Sequence, residues 1–79
     1  SRIATVIACP LTRTLRRALA PGNVLLAAGE ANLPAESVVN VSQPVTLDRA
    51  ALGGFIGNVG PRRVAQVLAG LRLLTDPRD

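Results

Sequence analysis

Seventy-nine residues bound the chain to one small domain, which buries only about 60 to 65% of the surface its unfolded form exposes. Nine Arg and no Lys stand against five Asp and Glu, a formal net charge of +4, and there is one Cys, one aromatic residue and no His. That inventory excludes an internal disulfide and every site that needs an imidazole, including His-based ribonucleases, Ser-His-Asp hydrolases and Cys-His centres.

The apolar, β-branched run from Ile3 to Cys9 reads as a buried strand closed by Pro10. Cys9 ends that run and is expected to be a small inert core thiol, since nothing in the sequence can activate it. The segment LTRTLRRALAPGN, Leu11 to Asn23, follows a strand end and mixes hydroxyls with Arg, so it reads as a functional loop stopped by the turn pair Pro21-Gly22. Asn23 to Ala28 is a short strand, and Gly29 to Glu36 a polar connection in which Glu30 and Glu36 are expected to be solvated surface.

A longer strand begins at Ser37. In it Val39, Val41 and Gln43 share one face, Val38, Asn40 and Ser42 share the other, and Pro44 marks an edge or a bend. Asp48 is placed to cap a helical turn from Asp48 to Leu52, which Gly53 and Gly54 end. Phe55 to Asn58 reads as a short strand. Pro61 then opens the surest element, a helix whose apolar stripe is Val64, Val67, Leu68, Leu71 and Leu74, with Arg62, Arg63 and Gln66 off it. Gly70 inside this helix lowers its propensity by about 1 kcal/mol relative to Ala and leaves room for close approach of another backbone. Asp76 to Asp79 read as a frayed tail.

With so few large side chains the core is marginal, and a second copy of the chain is a reasonable way to complete it. Net positive charge carried by Arg favours acidic partners, RNA or an acidic protein segment; a coding bias that replaces Lys with Arg explains the same composition. No apolar stretch reaches the length of a membrane span and no signal peptide is evident, so the expected location is cytoplasmic. Neither the Cys and carboxylate spacings nor a Gly-rich Lys loop suggests a metal or nucleotide site, and no cofactor is expected.

The chemistry that remains is the cluster Thr12, Arg13, Thr14, Arg16 and Arg17. Arg offers fixed positive charge and paired N–H donors for phosphate, whereas a Thr hydroxyl positions but is a poor base. On spacing alone such a cluster is more often an ordinary solvated basic loop. Asn40, Ser42 and Gln43 offer groups that could hydrogen-bond base edges, against the plainer reading of polar residues at a strand end.

The order of motifs says more. TVIACPLTRTLRRALAPGNVLL and LPAESVVNVSQPVTLDRAALGGFIGNVGPRRVAQV together resemble the MazF/PemK toxin family nearly end to end. Cys9-Pro10-Leu11-Thr12, then Ser37-Val38-Val39, Gln43 and Val45-Thr46-Leu47-Asp48, follow the family's order of a Pro-aliphatic-Thr strand end, a basic loop, Ser-Val-Val, Gln and aliphatic-Thr-aliphatic-Asp. The resemblance implies an α+β, β-rich fold: an SH3-like small barrel with a C-terminal helix packed on the sheet. It also implies a homodimer that binds single-stranded RNA in an intersubunit groove, metal-independent cleavage at a short preferred sequence, and an antitoxin that occupies that groove. On this resemblance Thr12 matches the family's catalytic Thr, which acts with an Arg and leaves a 2′,3′-cyclic phosphate and a 5′-hydroxyl. Arg13, Thr14, Arg16, Arg17, Ser42 and Gln43 are the expected RNA-binding residues.

Two departures accompany it. The family's amino-terminal hairpin, whose Gly-rich loop and Arg-Pro motif carry the catalytic Arg, has no counterpart in these residues, so residues 1–79 are read as a single toxin domain, amino-terminally incomplete, and expected to be inactive alone. Ser42 stands where many relatives have Glu. The competing readings are a noncatalytic RNA- or antitoxin-binding module and a gyrase-poisoning relative of the same fold, the latter disfavoured because the Trp-containing end expected of it is absent.

Overall fold

A computed structural model describes residues 5–75. Ile3 and Ala4 of the expected first strand and the expected tail Asp76 to Asp79 lie outside the described residues. Five strands and one helix follow in order: β1 Thr5–Ala8, β2 Leu11–Thr12, β3 Val24–Leu26, β4 Ser37–Val39, β5 Val45–Asp48 and α1 Pro61–Thr75. Short 3₁₀ turns cover Leu15–Leu19, Glu30–Asn32 and Arg49–Ala51. The fold is α+β. Its strands form two open antiparallel sheets, β1-β5 and β2-β4-β3, and no closed barrel exists among the described residues.

Val45–Asp48 is a separate strand rather than the continuation of Ser37–Val39. The chain turns between them, with the Val41 N–H bonded to the Val39 carbonyl at 3.0 Å and the Gln43 N–H to the Asn40 carbonyl at 3.3 Å. Pro44, lacking an N–H, starts the new direction without giving up a ladder bond. The expected single long strand is therefore corrected: β4 joins β2 and β3, while β5 pairs with β1 in the register Val6↔Leu47 and Ala8↔Val45. β1 has β5 as its neighbour among the described residues, and its Ile7 is 73% exposed, so the expectation of a wholly buried first strand does not hold.

Alternation along the three-stranded sheet divides its side chains between two faces. Val24, Leu26 and Val39 fall on one, where with Val41 they form the core that Cys9, Leu33, Val59, Val67 and Leu71 cover. Thr12, Leu25 and Val38 are level with one another on the opposite face. Ser37 and Val39 are buried on the core face and Val38 is fully buried on the other, so β4 is covered from both sides.

Pro61 begins α1 as its ring geometry favours, and the Val64 N–H closes the first turn on the Gly60 carbonyl at 3.1 Å. The inward stripe, however, is Arg63, Val67, Gly70 and Leu71; Val64, Leu68 and Leu74 of the expected stripe are exposed. Gly70 sets this rotation. It is buried with its backbone against Gly22, and that contact turns the helix about its axis until the residue without a side chain faces β3. The expected strand at Phe55 to Asn58 is irregular chain held by the Asn32 side-chain amide, which donates to the Ile56 carbonyl at 2.9 Å. Asp48 does precede a short helical turn, without the expected side-chain cap bond.

The radius of gyration, 13.3 Å, exceeds the roughly 11 to 12 Å of a closed domain this long. Leu19 and Phe55 are 87% and 78% exposed, so substantial apolar surface remains outside the core. Among the described residues no helix is long and apolar enough to cross a membrane.

Candidate nucleic-acid interface

Thr12 ends β2 opposite Val38, and its Oγ1 accepts the Thr14 N–H at 3.2 Å. A Thr hydroxyl that satisfies the amide two residues on makes a turn, and here it leads the chain out of the sheet. The 3₁₀ turn Leu15–Leu19 follows, with the Arg17 N–H on the Thr14 carbonyl at 3.0 Å and the Ala20 N–H on the Arg17 carbonyl at 3.1 Å. Arg13, Thr14, Arg16 and Arg17 are all exposed, and among the described residues none of the three guanidiniums pairs with a carboxylate. Their charge is available to a ligand.

This basic turn is tied to the far end of β4 by amide side chains. Asn23 Nδ2 donates to the Arg17 carbonyl at 2.9 Å and to Asn40 Oδ1 at 3.0 Å, while Asn23 Oδ1 accepts the Ser42 N–H at 3.0 Å. Ser42 Oγ donates to Asn40 Oδ1 at 2.8 Å, and Asn40 Nδ2 donates to Gln43 Oε1 at 3.0 Å. Asn40 is buried, and its own N–H extends the β2-β4 ladder to the Pro10 carbonyl at 2.7 Å. A buried amide satisfied on this many sides is rigid, because any rotation strands a donor or acceptor away from water.

Thr12 is level with Val38 and Asn40 with Pro10, so the hydroxyl and the amide cluster are two residues of register apart on one face, about 7 Å along the strand. The structure thus brings Thr12, the basic turn, Ser42 and Gln43 to one side of the three-stranded sheet. No Arg side chain bonds to Thr12 among the described residues.

Asn23 was legible in sequence only as the residue after a Pro-Gly turn; its role comes from partners 6, 17 and 19 residues away. Glu30 corrects another expectation. Its carboxylate takes three bonds from Arg63, Nε shared between Oε2 at 2.9 Å and Oε1 at 3.2 Å and a terminal nitrogen to Oε1 at 3.0 Å, and a fourth from the Ala27 N–H at 2.7 Å. The Arg63 guanidinium and the Ala27 amide hold the Glu30 carboxyl below the usual carboxylate range. Arg63 is consequently occupied in pinning α1, not free for a ligand. Cys9 is partly buried against the core, and burial pushes its thiol up.

A groove of about 550 Å³ runs between β3 and α1, lined by Asn23, Leu25, Glu36, Arg63, Gln66 and Leu73 among others. Neither Thr12, the basic turn, Ser42 nor Gln43 lines it, so this groove and the residues with phosphate and amide chemistry are different places. Among the described residues no three His, Cys, Asp or Glu side chains gather as a metal-ligand set.

Comparison with known proteins agrees with the order of motifs. Residues 1–75 match the family described as PemK-like, MazF-like toxin of type II toxin-antitoxin system. The chain is similar to the Endoribonuclease MazF2 of Mycobacterium bovis and the Endoribonuclease MazF6 of Mycobacterium tuberculosis. It is 43% identical to each over 76 residues, which are 96% of this chain and 67% of the relative.

Proposed function

The chain belongs to the PemK-like, MazF-like toxin family of type II toxin-antitoxin systems, and from that premise we propose that it is a toxin that cuts single-stranded RNA sequence-selectively, without a metal ion. One observation carries the reading: the basic turn and the Ser42-Gln43 turn are joined through Asn23 on the sheet face that bears Thr12. In this reading the two turns that carry the phosphate-binding and base-contacting groups are tied to each other through backbone groups, with the amide cluster about 7 Å along the strand from the Thr12 hydroxyl.

In this reading Arg13, Thr14, Arg16 and Arg17 hold backbone phosphates, Ser42 and Gln43 contact bases, and Thr12 holds the scissile phosphate. The 2′-oxygen bonds to phosphorus, the bond from phosphorus to the 5′-oxygen breaks, and the 2′-hydroxyl proton ends on that leaving oxygen. The products are a 2′,3′-cyclic phosphate and a 5′-hydroxyl. Fixed guanidinium charge lowers the barrier by stabilising the oxygens of the five-coordinate phosphorus. In the family that charge is carried by the Arg of an Arg-Pro motif, which acts with the Thr that Thr12 matches.

The finer architecture follows the family too: an SH3-like barrel, a homodimer and an antitoxin seated over the RNA groove, in the cytoplasm. Exposed apolar side chains such as Leu19 and Phe55 support a further protein surface over this fold. A noncatalytic binding module is the second reading, favoured by the lack of an Arg bonded to Thr12 among the described residues.

Incubating RNA with the product of the complete coding sequence in EDTA separates the two. Cleavage that resists the chelator supports the nuclease; RNA binding without products supports the module.

A further inference from the structure

Two backbone groups fix the orientation of the linked side-chain amides of Asn23, Asn40 and Gln43. The Arg17 carbonyl can only accept and the Ser42 N–H can only donate, so Asn23 has one allowed orientation, Nδ2 toward Arg17 and Oδ1 toward Ser42. Its second Nδ2 hydrogen goes to Asn40 Oδ1 at 3.0 Å, which also takes the Ser42 hydroxyl at 2.8 Å. Asn40 must then turn Nδ2 the other way, where it meets Gln43 Oε1 at 3.0 Å. Gln43 is therefore held by its oxygen, and its Nε2, with two N–H donors, is left on an exposed side chain.

We infer that Gln43 is a specificity-determining residue that reads by donation alone, selecting uracil or guanine over cytosine or adenine at one position of the bound RNA. The inference rests on the RNA-binding reading above. Uracil and guanine carry an exocyclic keto oxygen where cytosine and adenine carry an amino group, so a donor fits the first pair and opposes the second. An ordinary surface Gln would rotate its amide and accept instead. Here that rotation sets Gln43 Nε2 against Asn40 Nδ2 and leaves that part-buried donor without a partner, so the wrong base costs one hydrogen bond, either to Asn40 or to the base.

The test measures binding, by fluorescence anisotropy, of RNA oligonucleotides differing at one base to the product of the complete coding sequence. Expected is one position where uracil binds about fivefold to tenfold tighter than cytosine, and guanine tighter than adenine. Gln43→Glu replaces the outward donor with an acceptor and should reverse that order, with weaker binding throughout from the added negative charge. Asn40→Asp should reverse it with Gln43 retained, because the amide must then turn its nitrogen inward; circular dichroism checks that this buried variant folds, and if it does not, Gln43→Glu decides. RNA binding with the same base preference in Gln43→Glu overturns the inference and leaves the RNA-binding reading standing. An absence of RNA binding by the unaltered protein overturns both.

Discussion

Gly70 of α1 meets the backbone of Gly22 so closely that a Cβ added at Gly70 would overlap the Gly22 carbonyl oxygen. The obstacle is backbone, which cannot rotate away, and Gly22 is itself fixed at φ 85° in a turn. Ala would gain about 1 kcal/mol of helix propensity at position 70. Forcing the helix off the sheet costs about 1 to 3 kcal/mol, and the contact sits beside Val67 and Leu71, which cover the core. Gly70→Ala is therefore expected to lower the urea midpoint, and a raised midpoint would show that α1 is not seated on this turn.

The Glu30–Arg63 pair makes stability depend on pH. Because the folded-state pKa of Glu30 is depressed, its contribution is fully present above the ordinary carboxylate range and is lost as pH falls through the lowered value. Glu30→Gln removes the charge at every pH. Urea midpoints of the two proteins should differ most near neutrality and converge in acid. A gap independent of pH would mean that the side chain acts through packing rather than charge.

Legibility in the sequence follows the distance over which a signal acts. α1 and β3 were readable because Pro61, Pro21-Gly22 and apolar periodicity are local. The break between β4 and β5 was readable only as the edge or bend that Pro44 marks, since Val38, Val39 and Val41 are apolar on both faces and a sheet covered on both sides erases the alternation that shows where a strand ends. The roles of Glu30 and Arg63, 33 residues apart, and of Asn23 and Asn40, 17 apart, exist only once the chain is folded. For the candidate site, residue types and order were visible in advance; the bonds joining the two turns were not.

Removing Arg16 and Arg17 side chains should change the salt dependence of RNA binding more than its sequence preference. Each phosphate contact to a single strand contributes about 0.7 to the slope of log affinity against log salt, so the Ala-Ala double variant should lose about 1.4. The link to Asn23 uses the Arg17 backbone carbonyl, which survives the substitution. Anisotropy titrations across a range of salt measure the slope. An unchanged slope would show that these guanidiniums face solvent in the complex.

Thr12→Ala tests the one catalytic assignment. The hydroxyl accepts a single long bond, 3.2 Å from the exposed Thr14 N–H, so its loss should cost the fold less than about 1 kcal/mol. Loss of a group that holds the reacting phosphate in a nuclease site should instead reduce cleavage on the order of a hundredfold. Thr12→Ser keeps the oxygen and should retain most activity, which separates the hydroxyl's role from that of the β-branched strand position. Cleavage rates for the three proteins, measured alongside their urea midpoints and RNA affinities, distinguish the cases. Equal rates would move the chemistry off β2 altogether, whereas a loss of cleavage at unchanged affinity would place the hydroxyl at the scissile bond and leave binding to the basic turn.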